Sequence, residues 1–396
     1  MHVSRRRFIA GSAAVGGAAA SIAATKGSPT NPSTAPEYSL YGEHQPGVVD
    51  KLQEHSEILA FDLHVSTKAD LEKFFRALTD ITRCVTFGGA THSNDLTGPP
   101  VDNGIVGSDV DPDGISVTVG VGASLFDARF GLSGRKPLHL HPMQAFANDS
   151  LDPKACHGDI SVQVCAHSQD TVIHAVREIC REIRPFASLR WRQAGFFSRP
   201  RPSGTPRNLL GFRDGIVQPS EGDYDRIVWA SSSEPAWAHG GTYQAVRLIR
   251  MFVEFWDRIS IGEQEQIFGR VRDTGAPLSG GGEFEPPNFD DDPNGDTTPL
   301  DSHIRLANPR TGDDYPGMVR RAFNYNNGVD VNGTLDMGLA FISYQQDLDK
   351  QFVATQLRLE NEPLVDYIRP WGGGFFFVLP GLRDSGDFYA AGLLSG

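Results

Sequence analysis

The sequence predicts an α+β fold in which one arrangement of elements occurs twice. Apolar residues alternate with period two in several short segments, which is typical of strands, and recur every three to four residues in others, which is typical of helices. In the first half these segments follow the order β-α-β, β-α-β. The second half repeats that order, so periodicity alone indicates a duplicated α+β unit.

The first half of the chain supplies four strand-like and two helical segments. The strand-like segments are residues 57–63, 114–121, 159–166 and 189–197. The helical segments are residues 68–84 and 171–183, where apolar side chains recur on one side.

The second half supplies strand-like segments at residues 241–255, 337–345 and 374–379, and helical ones at residues 261–271 and 348–359. Within residues 337–345, Leu339 and Phe341 fall on one face of the strand. Residues 275–299 are rich in Gly, Pro and Asp. We expect this insert to wrap the mouth of a pocket and not to form core.

The N-terminus predicts export. Residues 4–9 match the twin-arginine pattern, an arginine pair (Arg5, Arg6) with an apolar residue two positions on, and the Ala- and Gly-rich run 9–24 contains no acid. That run is too weakly apolar for a membrane span; a plain Ala/Gly tail is the alternative. We therefore expect a signal peptide at residues 1–26, a linker at residues 27–40, and a periplasmic or extracellular protein.

The charge balance argues against a nucleic-acid partner. The 396 residues carry a net charge of −13, and residues 1–26 hold four basic residues and no acid, so the remainder carries −17. A strongly negative surface repels phosphate backbones. The four cysteines form no C-x-x-C pair and do not make a disulfide scaffold, although one disulfide remains possible after export.

Two segments of the second half combine the residue types that peroxide chemistry on haem requires. Asp214 stands between two glycines in residues 208–215, and His303 begins the segment His-Ile-Arg-Leu-Ala-Asn-Pro-Arg. The pair Arg320-Arg321 follows in residues 318–325. A histidine holds haem iron from one side, while an acid and an arginine act on peroxide at the other.

These segments, with the Y-G-x-H-Q-x-G stretch at residues 41–47, resemble the dye-decolorizing peroxidase family, in particular its exported deferrochelatase branch. The resemblance extends from about residue 41 to the C-terminus. It implies two ferredoxin-like domains packed sheet to sheet, a fold of the dimeric α+β barrel type. We assign residues 41–207 to the N-terminal domain and residues 208–396 to the C-terminal, haem-binding domain.

The resemblance also implies a function. The expected activity is oxidation of bulky phenolic or dye-like substrates by hydrogen peroxide, with one haem b per chain. That haem is non-covalent, because the sequence has no C-x-x-C-H motif. One alternative is a deferrochelatase that releases iron from haem, with intact protoporphyrin, for an iron-transport partner. Another is a passive haem carrier, which would need no acid–arginine pair. The oligomeric state is not predicted.

The family register assigns roles to single residues. His303 is the iron ligand, Asp214 the distal acid/base and Arg320 the distal cation, while Arg321 faces a structural acid or a propionate. Asp387 is expected to support His303, with Asp384 as the competitor. The remaining assignments are Arg305 and Arg310 as propionate partners, and Leu339 and Phe341 as distal wall or ordinary sheet core.

One further pattern is His139-Leu140-His141. Two histidines in this spacing sometimes bind a metal, but no acid or cysteine lies nearby in sequence. A pair of surface histidines is therefore the favoured interpretation.

Overall fold

The computed structural model describes residues 37–88, 97–107, 112–310 and 317–395. The predicted signal peptide and residues 27–36 of the predicted linker lie outside these residues. In the described part of the chain, no helix is long and apolar enough to cross a bilayer.

The described residues form nine strands: β1 His55–Leu63, β2 Ser116–Gly122, β3 Ile160–Ala166, β4 Ala187–Phe196, β5 Thr242–Met251, β6 Val319–Arg320, β7 Phe323–Val329, β8 Leu335–Gln345 and β9 Ile368–Val378. The α-helices are α1 Lys68–Phe87, α2 Gln169–Ile183, α3 Tyr224–Ile227, α4 Val253–Trp256, α5 Ile261–Phe268, α6 His303–Ala307, α7 Ala354–Arg358 and α8 Ala391–Leu394. A π-helix, Leu348–Val353, leads directly into α7. Short 3-10 turns lie at Ala123–Phe126, Ser133–Arg135, Pro153–Ala155, Glu221–Asp223, Ala236–Ala238 and Pro363–Asp366.

The strands form one closed antiparallel sheet, in the order β5-β9-β2-β3-β1-β4-β7-β8 with β8 pairing back to β5. Strand β6 pairs with β8 beside β7. The two halves of the chain meet at two short seams: β2 pairs with β9 only over Gly120–Gly122, and β4 pairs with β7 only at Phe196. The predicted α+β barrel fold is confirmed, and the domain boundary at residues 207/208 stays a prediction.

The sheet has a packed interior and covered outer faces. Inside, β8 contributes Ile342 and Tyr344, and the Tyr344 hydroxyl donates to Gln163 Oε1 at 2.8 Å. Helices α1 and α2 cover the outer face of the first half with apolar side chains such as Phe74 and Ile179, as their period predicts. The outer face of β5, β8 and β9 is left to form the wall of a cavity.

Several predicted elements end differently in the structure, for local reasons. Strand β5 stops at Met251 because the chain turns into α4, whose Trp256 is 1% exposed. Helix α5 stops at Phe268 because Gly269 takes φ +82° and caps it. The segment predicted as one helix from residue 348 begins as a π-helix.

Candidate active site

A cavity of about 410 Å³ lies between the outer face of β5, β8 and β9 and a helical wall made by α6, the π-helix and α7. Loop 208–219 and strand β6 complete it on the sheet side. Its volume falls in the range of about 300–1,000 Å³ that is usual for small-molecule and cofactor sites. The cavity therefore gathers residues from many separate segments of the second half of the chain.

His303 stands at the first position of α6 and lines the helical wall. Its Nδ1 lies 2.6 Å from Glu362 Oε2, and the Glu362 side chain is only 4% exposed. Burial by itself would lower the pKa of His303, but the Glu362 carboxylate outweighs it and the pKa is raised. With Nδ1 bonded to a carboxylate, Nε2 is the nitrogen left with a lone pair for a metal.

The approach of α5 to α6 fixes the position of His303. Gly269 caps α5 with φ +82°, and a Cβ there would lie 2.6 Å from Ile304 Cγ1. The ring centroid of Phe268 lies 5.8 Å from that of His303. A glycine is therefore required where the two helices meet.

The carboxylate partner of His303 is Glu362, so the assignment of Asp387 was wrong. Asp387 instead accepts from Arg383 Nε at 3.0 Å within the C-terminal segment, and Asp384 accepts from the Gly386 N–H at 2.8 Å. Glu362 is 59 residues from His303 and immediately precedes the turn Pro363–Asp366. No local pattern distinguishes it from other acids of this part of the chain.

Asp214 and Arg320 meet on the sheet side of the cavity. Arg320 Nη1 lies 4.0 Å from Asp214 Oδ1, and both side chains are somewhat over a quarter exposed. Arg320 sits in β6 opposite Ser343 of β8, and its Nη2 donates to Val217 O at 2.8 Å. The turn after Asp214 depends on Gly215, which has φ +83°.

Arg321 points away from this cavity. It is 3% exposed, and its Nη2 donates to Gln53 Oε1 at 3.1 Å and to a backbone carbonyl. In the part of the chain that the structure describes, its hydrogen bonds go to backbone carbonyls and Gln53 and it does not line the cavity, which corrects the expectation of a structural acid or a propionate. Alternation along the strand end turns adjacent side chains to opposite sides, so Arg320 is the one that reaches the cavity.

Leu339 and Phe341 of β8 line the sheet wall, on the face predicted for them. The Phe341 ring lies 6.1 Å from that of Phe352 on the π-helix. The two apolar walls therefore meet at these aromatic side chains. Leu339 and Phe352 also belong to the hydrophobic core, and Phe341 packs against it.

The two predicted propionate partners separate in the structure. Arg310 lines the cavity, with its face against Phe289 of the insert at 5.3 Å. Arg305 does not, because it lies two residues beyond His303 on the other side of α6. It is held by Asp292 Oδ2 at 3.3 Å and by Thr298 O at 2.9 Å. Its assignment as a propionate partner is therefore corrected to a structural role.

Sequence reasoning missed four further arginines on the cavity wall: Arg213, Arg226, Arg247 and Arg270. Burial and, next, Arg310 lower the pKa of Arg270 to about 10, with Glu283 opposing. The Nε atoms of Arg213 and Arg247 are buried without a hydrogen-bond partner among the described residues. Arginines thus outnumber acids among the residues that line this apolar space, although Glu283 pairs with Arg213 and Asp149 with Arg247.

These features fit haem. A carboxylate-held imidazole is a standard iron ligand, two apolar walls accommodate a flat ring, and arginines on the wall suit two propionates. The four cysteines are free and supply no covalent attachment: Cys84 is exposed, Cys180 is intermediate, and Cys156 and Cys165 are buried.

Comparison with known proteins agrees with this site. The family models "Dyp-type peroxidase, N-terminal" and "Dyp-type peroxidase, C-terminal" match residues 45–197 and 205–383. A curated relative from Escherichia coli K12, "Deferrochelatase", is 48% identical over 366 residues, covering 90% of this chain and 86% of its own. A "Deferrochelatase" of Yersinia pestis is 44% identical over 99% of this chain and 95% of its own.

Solved structures show the same fold. A DyP-type peroxidase from Cellulomonas bogoriensis has a TM-score of 0.81 at 35% identity, over 90% of this chain and 98% of its own. "Ferric DtpA from Streptomyces lividans" has a TM-score of 0.82 at 33% identity, over 91% and 98%. Together with the geometry of the cavity, these matches show that the chain belongs to the Dyp-type peroxidase family and is a haem-binding peroxidase.

Proposed function

We propose that the chain holds one non-covalent haem b with His303 as iron ligand and uses hydrogen peroxide to oxidise bulky phenolic or dye-like substrates. One observation carries the proposal: a carboxylate-held imidazole and an acid–arginine pair face the same cavity from opposite walls. A carrier would need the first of these features but not the second.

On the helical wall, Glu362 orients His303. The 2.6 Å contact fixes the ring and presents Nε2 as the metal-binding nitrogen. Because Glu362 is almost fully buried, its charge acts on the imidazole with little solvent screening. The arginines of the wall, Arg310 and Arg270, offset the negative charge of a dianionic ligand.

On the sheet wall, Asp214 and Arg320 have different roles in the reaction with peroxide. A haem held here would supply the redox-active iron at which peroxide is reduced and the substrate is oxidised. The Asp214 carboxylate takes a proton from one oxygen of hydrogen peroxide and returns it to the other, which leaves as water. The Arg320 guanidinium stabilises the negative charge that develops on the leaving oxygen. Val217 O and Gln218 hold Arg320 in place, so its charge is already positioned.

Haem titration of His303→Ala tests the iron ligand. We expect the variant to lose the Soret band or shift it to a weakly ligated form, while the exposed-histidine control His64→Ala keeps the wild-type spectrum. A wild-type spectrum in His303→Ala would contradict the assignment. One equivalent of peroxide added to wild-type protein, followed by dye or phenol, tests the reaction itself.

A second candidate function is iron release from haem with intact protoporphyrin, for an iron-transport partner. It is favoured by the name of the curated relatives, "Deferrochelatase", at 44–48% identity. The products separate the two functions: oxidised dye indicates peroxidase turnover, whereas metal-free protoporphyrin with its characteristic fluorescence indicates iron release. Absence of porphyrin under reducing conditions would contradict this candidate.

Export by the twin-arginine route to the periplasm or the extracellular space is also part of the proposal. It rests on residues 4–9, which lie outside the described residues. Replacement of Arg5 and Arg6 by lysine keeps the charge but removes the arginine pair. We expect the variant to accumulate in the cytoplasmic fraction. Unchanged distribution between fractions would contradict the route.

A further inference from the structure

Outside the haem cavity, two tripeptides far apart in sequence bring two histidines and two aspartates together. His139 and His141 flank a buried leucine, and so do Asp347 and Asp349. His141 and Asp349 are 208 residues apart in the chain. Each buried leucine anchors its tripeptide, so the four polar side chains lie on the outer side and face one another.

The distances suit a shared cation. One ligand atom from each of His139, Asp347 and Asp349 lies within 4.8 Å of the others. His139 Nδ1 is 3.6 Å from Asp347 Oδ1, and His141 Nε2 is 3.1 Å from Asp349 Oδ1. Metal–ligand bonds of about 2.0–2.2 Å put neighbouring ligand atoms roughly 3–3.6 Å apart. Small side-chain rotations therefore close the group around one ion.

The contacts of His141 turn its Nε2 towards Asp349 of this group. Its Nδ1 lies 2.9 Å from the Pro142 carbonyl oxygen, which only accepts, so Nδ1 carries the hydrogen. In the neutral ring Nε2 is then an acceptor, and it faces the Asp349 carboxylate, another acceptor. A metal ion bound by both atoms would satisfy this contact. A backbone carbonyl bound to the far nitrogen is also the usual partner of a metal-bound histidine.

Both tripeptides are held in place before any ion binds. The His139 N–H donates to Tyr243 Oη at 2.9 Å, and that hydroxyl donates to Glu234 at 2.6 Å. Asp347 Oδ1 accepts from the N–H groups of Asp349 and Lys350 at the start of the π-helix. Lys350 Nζ lies 3.6 Å from Asp347, but its side chain is 81% exposed, so it competes only weakly with a cation.

We propose that His139, Asp347 and Asp349, with His141 beside Asp349, bind one divalent transition-metal cation outside the haem cavity. Mixed imidazole and carboxylate ligands favour Zn²⁺ and related transition metals over Mg²⁺ and Ca²⁺, which prefer oxygen ligands alone. The ion joins residues 139–141 to the first turn of the helix whose Phe352 lines the haem cavity. The inference does not depend on the proposed peroxidase roles.

Calorimetric titration of the chelator-treated holoenzyme with Zn²⁺ tests the site. We expect one Zn²⁺ per chain. His139→Ala and the double change Asp347→Asn, Asp349→Asn should each weaken binding by about 100-fold or more, and His141→Ala by at least about tenfold. Asparagine at 347 still caps the π-helix, so that variant loses charge but keeps the local structure.

Two control variants and a measurement of Tm accompany the titration. His64→Ala and Asp366→Asn change exposed residues elsewhere and should bind Zn²⁺ like the wild type. Zn²⁺ should raise the Tm of the wild type and of these controls, but not of His139→Ala. Equal Zn²⁺ affinity in the wild type and in His139→Ala would overturn the proposal. Displacement of Zn²⁺ by equimolar Mg²⁺ would also overturn it, because it would indicate only an acidic surface.

Discussion

The contact between His303 and Glu362 allows a quantitative test. Glu362→Gln keeps a side chain of nearly the same shape and an oxygen that accepts from Nδ1, but removes the charge. Bonds to charged partners contribute about 1.5–3 kcal/mol and neutral ones about 0.5–1.5 kcal/mol. At 2.6 Å and 4% exposure the value for a charged partner applies in full. Glu362→Gln therefore weakens this hydrogen bond by about 1–1.5 kcal/mol, which corresponds to roughly a tenfold change in an equilibrium constant.

Glu362→Gln should also change the midpoint potential of bound haem, in a direction that follows from the lost charge. Without the carboxylate the imidazole donates less electron density, so the ferric state of bound haem loses stability relative to the ferrous state. We expect the midpoint potential to rise by about 60 mV, which is the one-electron equivalent of tenfold. The reaction with peroxide should slow by about 10- to 100-fold. Spectroelectrochemical titration and stopped-flow absorbance measure the two effects.

Asp387→Asn is the matched control. Asp387 forms an ion pair with Arg383, whose side chain is 79% exposed, so its loss should change stability by no more than about 1 kcal/mol and leave the potential unchanged. A shifted potential in Asp387→Asn together with a normal one in Glu362→Gln would refute the assignment of Glu362. Unchanged potentials in both variants would refute the electronic role of any carboxylate there.

Three further predictions concern the cavity and the stability of the fold. Asp214→Asn and Arg320→Leu should keep haem but slow the peroxide step, each by about 100-fold or more in stopped-flow experiments. Gly269→Ala should lower the free energy of unfolding by about 1–3 kcal/mol and weaken haem binding, because φ is +82° and the new Cβ meets α6. Burial raises the pKa of Glu54, but His167 and Arg199 outweigh it and hold it at about 2, below the usual 4.5. Ionised Glu54 therefore stabilises the fold above pH 4.5, and the stability difference between wild type and Glu54→Gln should shrink between pH 4.5 and 2 in urea titrations.

Each of these predictions has a contradicting result. If Arg321→Leu slows the peroxide step and Arg320→Leu does not, the distal arginine is misassigned. Gly262→Ala is the control, since Gly262 lies in the helix that Gly269 caps and has open space around its Cβ. Equal destabilisation of the two variants would contradict the steric argument. A stability difference for Glu54→Gln that is constant with pH would show that its charge is not what stabilises the fold.

Local features of the sequence predicted much of the molecule. Period-two and helical patterns located most of the strands and long helices, because side-chain direction follows from local backbone geometry. The motif around His303 located the residue that lines the helical wall, and strand alternation placed Leu339 and Phe341 on the cavity face. The family segment containing Arg320-Arg321 also identified which arginine reaches the cavity.

What only the tertiary structure decided concerns partners that are distant in sequence. Glu362, and not Asp387, contacts His303, because the turn after α7 places Glu362 against α6 although it is 59 residues from His303. His139 and His141 looked isolated in sequence, yet closure of the sheet brings Asp347 and Asp349 to them. The physical reason is the same in each case: a carboxylate acts on whatever lies within a few ångströms, and contacts between distant segments are set by packing of the whole fold, which local periodicity does not encode.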